Sequence, residues 1–159
     1  MFVYSVKPRQ IKLVFLIIFI IMTVLSLFIL SLDSQQTGKG SEMNINASDH
    51  SERMAFISQY GWQVDEEPAE VMEIIIPETF DETYTAYNEI QKNQGFDLSL
   101  FAGNRLKRWS YVVRNYTGYE NKDCIRINLL VRDGVVVGGD VCSVELDGFM
   151  HGFEMITSG

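Results

Sequence analysis

The residue types that could do chemistry gather in one stretch, residues 138–153, which reads GGDVCSVELDGFMHGF. Within it lie Cys142, Glu145, Asp147 and His151. A thiol, two carboxylates and an imidazole are the groups that zinc binding, thiol-dependent hydrolysis and carboxylate acid–base catalysis require. The stretch therefore raises the question of whether this protein is an enzyme.

None of these three chemistries fits the spacing of the four residues. The spacing matches no recurrent zinc motif, and only one histidine lies nearby. A reactive Cys142 would need an electropositive setting, whereas its sequence neighbours are acidic. Glu145 and Asp147 would share a face of a continued strand, but two carboxylates at a strand end are ordinarily just solvated. We therefore expect the end of a sheet, with no catalytic residue, no metal ligand and no cofactor site.

A long apolar segment near the start of the chain indicates where the protein resides. Residues 13–32, LVFLIIFIIMTVLSLFILSL, carry no charge, no glycine and no proline. A helix of this length, at about 1.5 Å per residue, spans a hydrocarbon core of about 30 Å. The apolar run is longer than that of a typical signal peptide, and no small-residue cleavage site follows it. We predict an uncleaved anchor, and a cleaved signal peptide is the alternative.

The distribution of charge predicts the orientation of this anchor. Three of the 13 basic residues, Lys7, Arg9 and Lys12, precede the segment, whereas all 21 acidic residues follow it. Basic flanks stay in the cytoplasm, so residues 1–12 form a predicted cytoplasmic tail and the bulk of the chain lies outside the cell membrane. An acidic exterior part repels phosphate backbones, which argues against binding to nucleic acid.

The remaining chain divides into a linker and one folded domain. Residues 33–47 are rich in Ser, Gln, Gly and Asn, and are predicted to be a flexible tether. Residues 48–159 are long enough for one hydrophobic core and form the predicted extracytoplasmic domain.

Within that domain, helical and alternating patterns predict an α+β fold. The first helix begins near Asp49, and a Thr79–Glu82 capping box starts the second. Short β-branched runs predict a four-stranded, mostly antiparallel sheet against which the two helices pack, similar to cystatin-like folds by analogy only. In the third strand, alternate apolar residues should face the core: Ile125, Ile127, Leu129 and Val131.

The second helix carries an aromatic stripe with two interpretations. Phe80, Tyr84, Tyr87 and Gln91 recur at helical spacing. Such a stripe could stack against a ligand, but it more often packs into the core. We predict core packing for these side chains.

The register of the last hairpin decides whether the two cysteines can meet. A two-residue Asp133–Gly134 turn would put Asp140 opposite Ile127, on the apolar face. A three-residue loop pairs Val131 with Val135 and Asp140 with Arg126, and we expect this register. It also sets Cys124 opposite Cys142. A disulfide between them is then a hypothesis, and two buried thiols are the alternative.

The motifs YGWQV, YNEIQKNQGFDLSLFAG, VVRNY and NLLVRDGVVVGGDVCSVELDGFMHGF resemble a bacterial family known as domain of unknown function 4830. The resemblance covers the whole predicted exterior part. It implies bacterial proteins, often with one N-terminal membrane segment, and no established activity. It supplies no catalytic residues, and Cys124 has no matching cysteine in the family, which weakens the disulfide as a general feature.

These observations favour a binding role over catalysis. We predict a single-pass membrane protein whose exterior domain binds or senses a partner in the cell envelope, and an envelope protein is the candidate partner. The alternative is an envelope hydrolase that uses Cys142 or the group formed by Glu145, Asp147 and His151. The predicted interaction surface consists of aromatic and imidazole side chains near one end of the sheet: Trp109, Tyr111, Tyr116, Tyr119, Phe149, His151 and Phe153.

Overall fold

The computed structural model of the chain describes residues 43–120 and 122–156. Within these two ranges, no helix is both long enough and apolar enough to cross a membrane. The predicted cytoplasmic tail and the predicted anchor at residues 13–32 lie outside the described residues, as does most of the predicted tether.

The described residues form an α+β domain of two helices, a short 3-10 helix and five strands. The strands form a single antiparallel sheet in which each strand pairs with the next one along the chain. The sequence predicted four strands, and the fifth is only two residues long. In chain order the elements are α1 (His50–Gln59), β1 (Glu70–Ile75), α2 (Glu82–Asn93), the 3-10 helix (Leu98–Phe101), β2 (Arg105–Val112), β3 (Ile125–Arg132), β4 (Val135–Ser143) and β5 (Met150–His151).

Carboxylate caps begin each of the helices. The Asp49 side chain accepts a hydrogen bond from the backbone N–H of Glu52, which confirms the predicted start of α1. The second helix is capped by Asp81, not by the predicted Thr79. Asp81 satisfies the free N–H of Tyr84 at 2.7 Å, and an ionised carboxylate also interacts favourably with the positive end of the helix dipole.

The sheet is covered on both faces, by one helix on each. Leu129 and Leu130 are neighbours on β3 and therefore point to opposite faces, and each belongs to a different buried cluster. The cluster around Leu129 includes Phe56 and Ile57 of α1, and the cluster around Leu130 is packed by side chains of α2. The predicted alternation on β3 is confirmed, because all four residues are buried in the cluster around Leu129: Ile125, Ile127, Leu129 and Val131.

The predicted register of the last hairpin is wrong. Asp133 and Gly134 both have positive φ angles, 49° and 82°, and form a two-residue turn that pairs Arg132 with Val135. A bulge then shifts the register, so that Leu130 lies opposite Gly138. A turn with two positive φ angles is of the primed type, and its twist matches the twist of the strands. The bulge then returns the apolar side chains of β4 to the apolar face of the sheet, which the turn alone would not have done.

This register removes the geometric basis for the disulfide. Cys142 pairs with Arg126, not with Cys124, and Asp140 pairs with Asn128, not with Arg126. Cys124 precedes the first residue of β3, and both cysteines are free thiols.

The folded domain begins earlier than the predicted boundary at residue 48. Ala47 is buried, and its backbone N–H donates to the carbonyl of Gly134 at 2.8 Å. The N–H of Val136 donates to the carbonyl of Ile45 at 2.7 Å. The last residues of the predicted tether are therefore part of the fold, because they supply hydrogen bonds to the β3–β4 turn.

Two glutamines fix the C-terminal end of α2 to β4. The side-chain oxygen of Gln91 accepts a hydrogen bond from the backbone N–H of Gly139, and the side-chain amide of Gln94 donates to the carbonyl of Gly139, both at 2.8 Å. Gln94 also accepts from the N–H of Phe153 at 2.8 Å. This glutamine clamp joins α2, the bulged strand and the C-terminal segment.

Candidate functional site

The four residues that suggested chemistry in the sequence do not converge. Cys142 lies opposite Met150, and His151 follows Met150, so Cys142 and His151 point to opposite faces of the sheet. Glu145 and Asp147 are exposed in the turn between β4 and β5, where Glu145 lies 3.8 Å from the amine of Lys122. Among the described residues, no group of three or more potential ligands is placed to hold a metal ion.

The predicted aromatic surface divides into a buried part and a half-buried cluster. Tyr111 and Phe153 are fully buried, so they are core residues and not surface residues. Trp109 is covered by the guanidinium of Arg53, whose carbon lies 3.7 Å from the ring centroid. Arg53 also donates to the Tyr111 hydroxyl at 2.9 Å. These three aromatic residues therefore stabilise the fold around α1.

The other four predicted residues do come together. Tyr116 lies 5.0 Å from Phe149 between ring centroids, and its hydroxyl is 3.1 Å from Nε2 of His151. Trp62, which is not among the predicted surface residues, stacks on Tyr116 with 5.6 Å between the ring centroids. Burial lowers the pKa of His151, so the imidazole is neutral at pH 7. We name this group of half-buried and buried rings the aromatic cluster: Trp62, Tyr116, Tyr119, Phe149 and His151.

A row of polar side chains crosses the opposite face of the sheet. Ser110, Asn128 and Asp140 lie side by side on β2, β3 and β4. The Ser110 hydroxyl donates to Asn128 at 2.6 Å, and the Asn128 amide donates to Oδ1 of Asp140 at 2.8 Å. Such a row in the middle of a sheet is stable only when its members satisfy one another, and the register makes this possible.

Helix α2, which covers this face of the sheet, contributes one more hydrogen bond to the polar row. The Tyr87 hydroxyl donates to Oδ2 of Asp140 at 2.8 Å, so the two carboxylate oxygens accept from two different elements. The thiol of Cys142 lies beside them, 3.4 Å from the amide of Asn128. Asp140 is thus a buried carboxylate held between α2 and the sheet.

Burial dominates the electrostatics of these groups. It raises the pKa of Asp140, although hydrogen bonds from Asn128 and Tyr87 act in the opposite direction. Burial, with the neighbouring Asp140 carboxylate, raises the pKa of Cys142 to about 12. The same causes raise the pKa of the Tyr87 hydroxyl well above its ordinary value. The thiol and the phenol are therefore neutral at physiological pH.

Arg108 is the nearby cation, and its charge is already matched. Its Nη2 lies 2.5 Å from a carboxylate oxygen of Glu70. Its Nε is buried and has no hydrogen-bond partner among the described residues. The arginine therefore acts on Asp140 only through space, and this influence lowers the pKa of the carboxyl less than the hydrogen bonds do.

These groups line a pocket of about 680 Å³ between α2 and the sheet, which we name the α2 pocket. Asp140, Asn128, Arg108 and Cys142 are among its polar lining residues, together with Thr83 and Tyr87. Its walls are mainly apolar side chains, formed by Ile74, Ile75, Tyr84, Ala86, Ile90, Leu130 and Met150. A largely apolar pocket of this size with a few convergent polar groups is the usual form of a small-molecule site.

The arrangement suits binding better than nucleophilic catalysis. The Cys142 thiol is protonated, and the imidazole of His151 is on the other face of the sheet, where it cannot act as its base. Asp140, in contrast, presents a carboxylate to an apolar space.

Sequence reasoning missed the residues that form the polar part of this site. One signal was present, because Asp140 interrupts the apolar run VVVGGDVC, where a solvated carboxylate would not be expected. The contribution of Tyr87 had no such signal, since its ring fits the predicted core stripe. The prediction that the aromatic stripe packs into the core is confirmed in part. Tyr84 and Tyr87 pack against the cluster around Leu130, and they also line the α2 pocket.

Comparison with known proteins identifies the family of the chain. The chain belongs to the family described as Domain of unknown function (DUF4830), whose model matches residues 56–141. The match includes Tyr87, Arg108, Asn128 and Asp140, but it ends before the DGFMHGF segment on which the sequence resemblance also relied. No curated protein and no solved structure matches the chain. The analogy with cystatin-like folds therefore stays a prediction.

Proposed function

We propose that this member of the DUF4830 family is a single-pass membrane protein whose extracytoplasmic domain binds a small molecule of the cell envelope in the α2 pocket. The observation that carries the proposal is the pocket of about 680 Å³, with its apolar walls and the buried carboxylate of Asp140. A buried carboxylate is costly to keep in a fold, so its position beside an open pocket supports a role in recognition.

The location outside the membrane rests on the sequence. Residues 13–32 are long and apolar enough to span a bilayer, and the basic residues before them favour a cytoplasmic N-terminus. Protease added to intact cells should then remove the domain, while a cytoplasmic marker protein stays whole. Protection of the domain in intact cells, followed by digestion after lysis, would contradict the proposed location.

Binding in the α2 pocket is tested with a substitution at its mouth. Ala86 is exposed on α2 and lines the pocket, so Ala86→Trp should fill the opening without disturbing either buried cluster. Ala55 is exposed on α1, outside the pocket lining, and Ala55→Trp is the matched control.

The full-length chains are purified from membranes, and the small molecules that copurify with each are identified by mass spectrometry. We expect one molecular species to accompany the wild type and the Ala55→Trp protein, and to be lost from the Ala86→Trp protein. The same set of molecules in all three samples would contradict binding in this pocket.

An envelope hydrolase has weaker support. The groups proposed for it do not come together. Cys142 and His151 lie on opposite faces of the sheet, and Glu145 and Asp147 lie in an exposed turn. A protein partner also stays a prediction. Its best candidate surface is the aromatic cluster, in which Tyr116, Tyr119 and Phe149 are half-buried and pack mainly on one another.

A further inference from the structure

We infer that the α2 pocket takes a compact apolar molecule that carries one protonated amino group, with the carboxylate of Asp140 as its counter-ion. This inference rests on the proposed binding function and adds the chemical class of the ligand. It follows from the balance of charge in the pocket, from the unused hydrogen-bonding capacity of Asp140 and from the nature of the walls.

The charge balance leaves Asp140 without a cation in direct contact. Arg108 is the one cation in the pocket lining, and Glu70 already neutralises it at 2.5 Å. The groups that donate to the oxygens of Asp140 are all neutral: the hydroxyl of Tyr87, the amide of Asn128 and the thiol of Cys142. The lining of the pocket, counted with Glu70, therefore carries one unmatched negative charge when Asp140 is ionised.

The carboxylate of Asp140 can accept further hydrogen bonds. The two carboxylate oxygens together have room for about four donors, and three are present: Asn128 at Oδ1, Tyr87 at Oδ2 and the thiol of Cys142. A protonated primary amine offers three N–H donors from a compact head. Such a head can therefore donate a hydrogen bond to the remaining acceptor position of Asp140 without displacing any of its existing partners.

The energetics of desolvation also favour a cation. Removing both charges from water is the main penalty of a buried ion pair, and here the folded protein has already met the carboxylate's share of that cost at Asp140. An incoming ammonium group has to lose only its own hydration, and in return it meets the carboxylate at low local dielectric.

The walls define the rest of the ligand. Aliphatic side chains from the sheet and α2 surround the pocket, and Ile75 and Met150 at its lining are 58% and 47% exposed. Burial of this apolar surface would stabilise a hydrocarbon body. Tyr84 also lines the pocket, and an aromatic ring is a side chain with which a cation can interact.

An anionic head is disfavoured by the same observations. The partner that a carboxylate would seek is Arg108, which is paired with Glu70 through Nη2. Its buried Nε has no hydrogen-bond partner among the described residues, but Arg108 already interacts through space with Asp140, whose charge would repel an anion there. The chain as a whole has a formal charge of −8, with all of its acidic residues after position 32, so its field repels anions and attracts cations.

Three probes with one skeleton test the inference: adamantylamine, adamantanol and adamantanecarboxylate. The full-length chain is reconstituted in lipid nanodiscs, and binding heats are measured by calorimetry at pH 7 after subtraction of the heats from empty nanodiscs. We expect the amine to bind at least about tenfold more tightly than the alcohol or the carboxylate. Asp140→Asn keeps the shape of the side chain and removes its charge, so it should abolish this preference. Ala86→Trp should weaken binding of all three probes, and Ala55→Trp should weaken none.

The outcomes separate this inference from the proposed function. Equal or tighter binding of the alcohol or the carboxylate to the wild type would overturn the ligand class, and would leave a binding pocket in place. Absence of binding by all three probes would overturn the inference as well. The proposed function would then stand only if a molecule that copurifies with the wild type is lost on Ala86→Trp substitution. The comparison of probes on the wild type decides the inference even if the Asp140→Asn protein fails to fold.

Discussion

The hydroxyl of Tyr87 donates a hydrogen bond of 2.8 Å to the carboxylate of Asp140, and this bond ties α2 to the middle of β4. It is made at the edge of a largely apolar pocket, where water competes weakly for either partner. The bond therefore contributes both to the stability of the domain and to the position of the carboxylate.

Replacement of Tyr87 by Phe should measure this contribution. The substitution removes one of the three donors to a buried carboxylate, so we expect the free energy of unfolding to fall by about 1–3 kcal/mol. Urea unfolding, followed by the fluorescence of Trp62 and Trp109, provides the measurement. Tyr84→Phe is the control, because the Tyr84 hydroxyl has no hydrogen-bond partner in the described part of the chain. Equal loss of stability in both variants would show that the bond to Asp140 contributes nothing.

The pH dependence of stability should reveal the buried state of Asp140. Burial raises the pKa of this carboxyl in the folded protein, so the folded state retains the proton to a higher pH than the unfolded chain does. The stabilising effect of that proton is complete below the ordinary value of 3.8 and is lost as the pH rises through the raised pKa. Tyr87, Asn128, Cys142 and Arg108 face the carboxyl and are unchanged in an Asp140→Asn protein.

We therefore expect the difference in unfolding free energy, wild type minus Asp140→Asn, to decrease as the pH rises from about 4 through the raised pKa. Asp65 and Asp97 have lowered pKa values, through hydrogen bonds from Arg114 and Ser99 respectively, and they act in the opposite direction. Because they do so in both proteins, their effect cancels in the difference. Urea titrations at a series of pH values supply the data, and parallel profiles would refute a raised pKa at Asp140.

The thiol of Cys142 should be slow to react in the folded protein. Its pKa of about 12, against an ordinary value of 9.0, makes the thiolate at neutral pH roughly a thousandfold scarcer. A more basic thiolate is also more nucleophilic, by roughly twentyfold over this range. The net expectation is alkylation by iodoacetamide that is about fiftyfold slower than in the urea-unfolded chain. Timed quenching and peptide mass spectrometry give the rate, and a rate equal to that of the unfolded chain would restore Cys142 as a candidate nucleophile.

Gly139 should tolerate no side chain. Its φ angle is 152°, and a Cβ atom at this position would overlap the carbonyl oxygen of Asn128 and the ring of Phe153. We expect Gly139→Ala to lower the free energy of unfolding by about 3 kcal/mol or more, because the strand and the core would both have to move. Gly95→Ala is the matched control, since Gly95 also has a positive φ of 88° but has no atom within 4 Å of the added carbon.

The control should lose only about 1 kcal/mol, the cost of an unfavourable backbone conformation. The same urea titration as for Tyr87→Phe compares the two glycine variants. Equal losses would show that the backbone conformation, and not the close approach, is what requires glycine at position 139.

Local features of this fold could be predicted from the sequence because their causes are local. The cap at Asp49 depends on a side chain and a backbone N–H three residues apart. The alternation from Ile125 to Val131 depends on the pleat of one strand. Both predictions are confirmed by the structure.

The register of the β3–β4 hairpin could not be predicted in the same way. The bulge opposite Leu130 lies next to Gly138 and Gly139, and the conformation of Gly139 is held by Gln91 and Gln94 of α2. That conformation depends on contacts between residues more than forty positions apart in the chain. The candidate site was missed for the same reason, because Tyr87 and Asp140 are 53 positions apart.

The glutamine clamp attaches the C-terminal end of α2, which covers the α2 pocket, to β4. Gln91 and Gln94 anchor its final turns to Gly139, whereas the first turn, near Thr83, is exposed above the mouth of the α2 pocket. A ligand that moved the first turn of α2 away from the sheet would therefore rotate the helix about its anchored C-terminal end. Tyr87 lies between the exposed first turn and the anchored end, so such a rotation would stretch its hydrogen bond to Asp140.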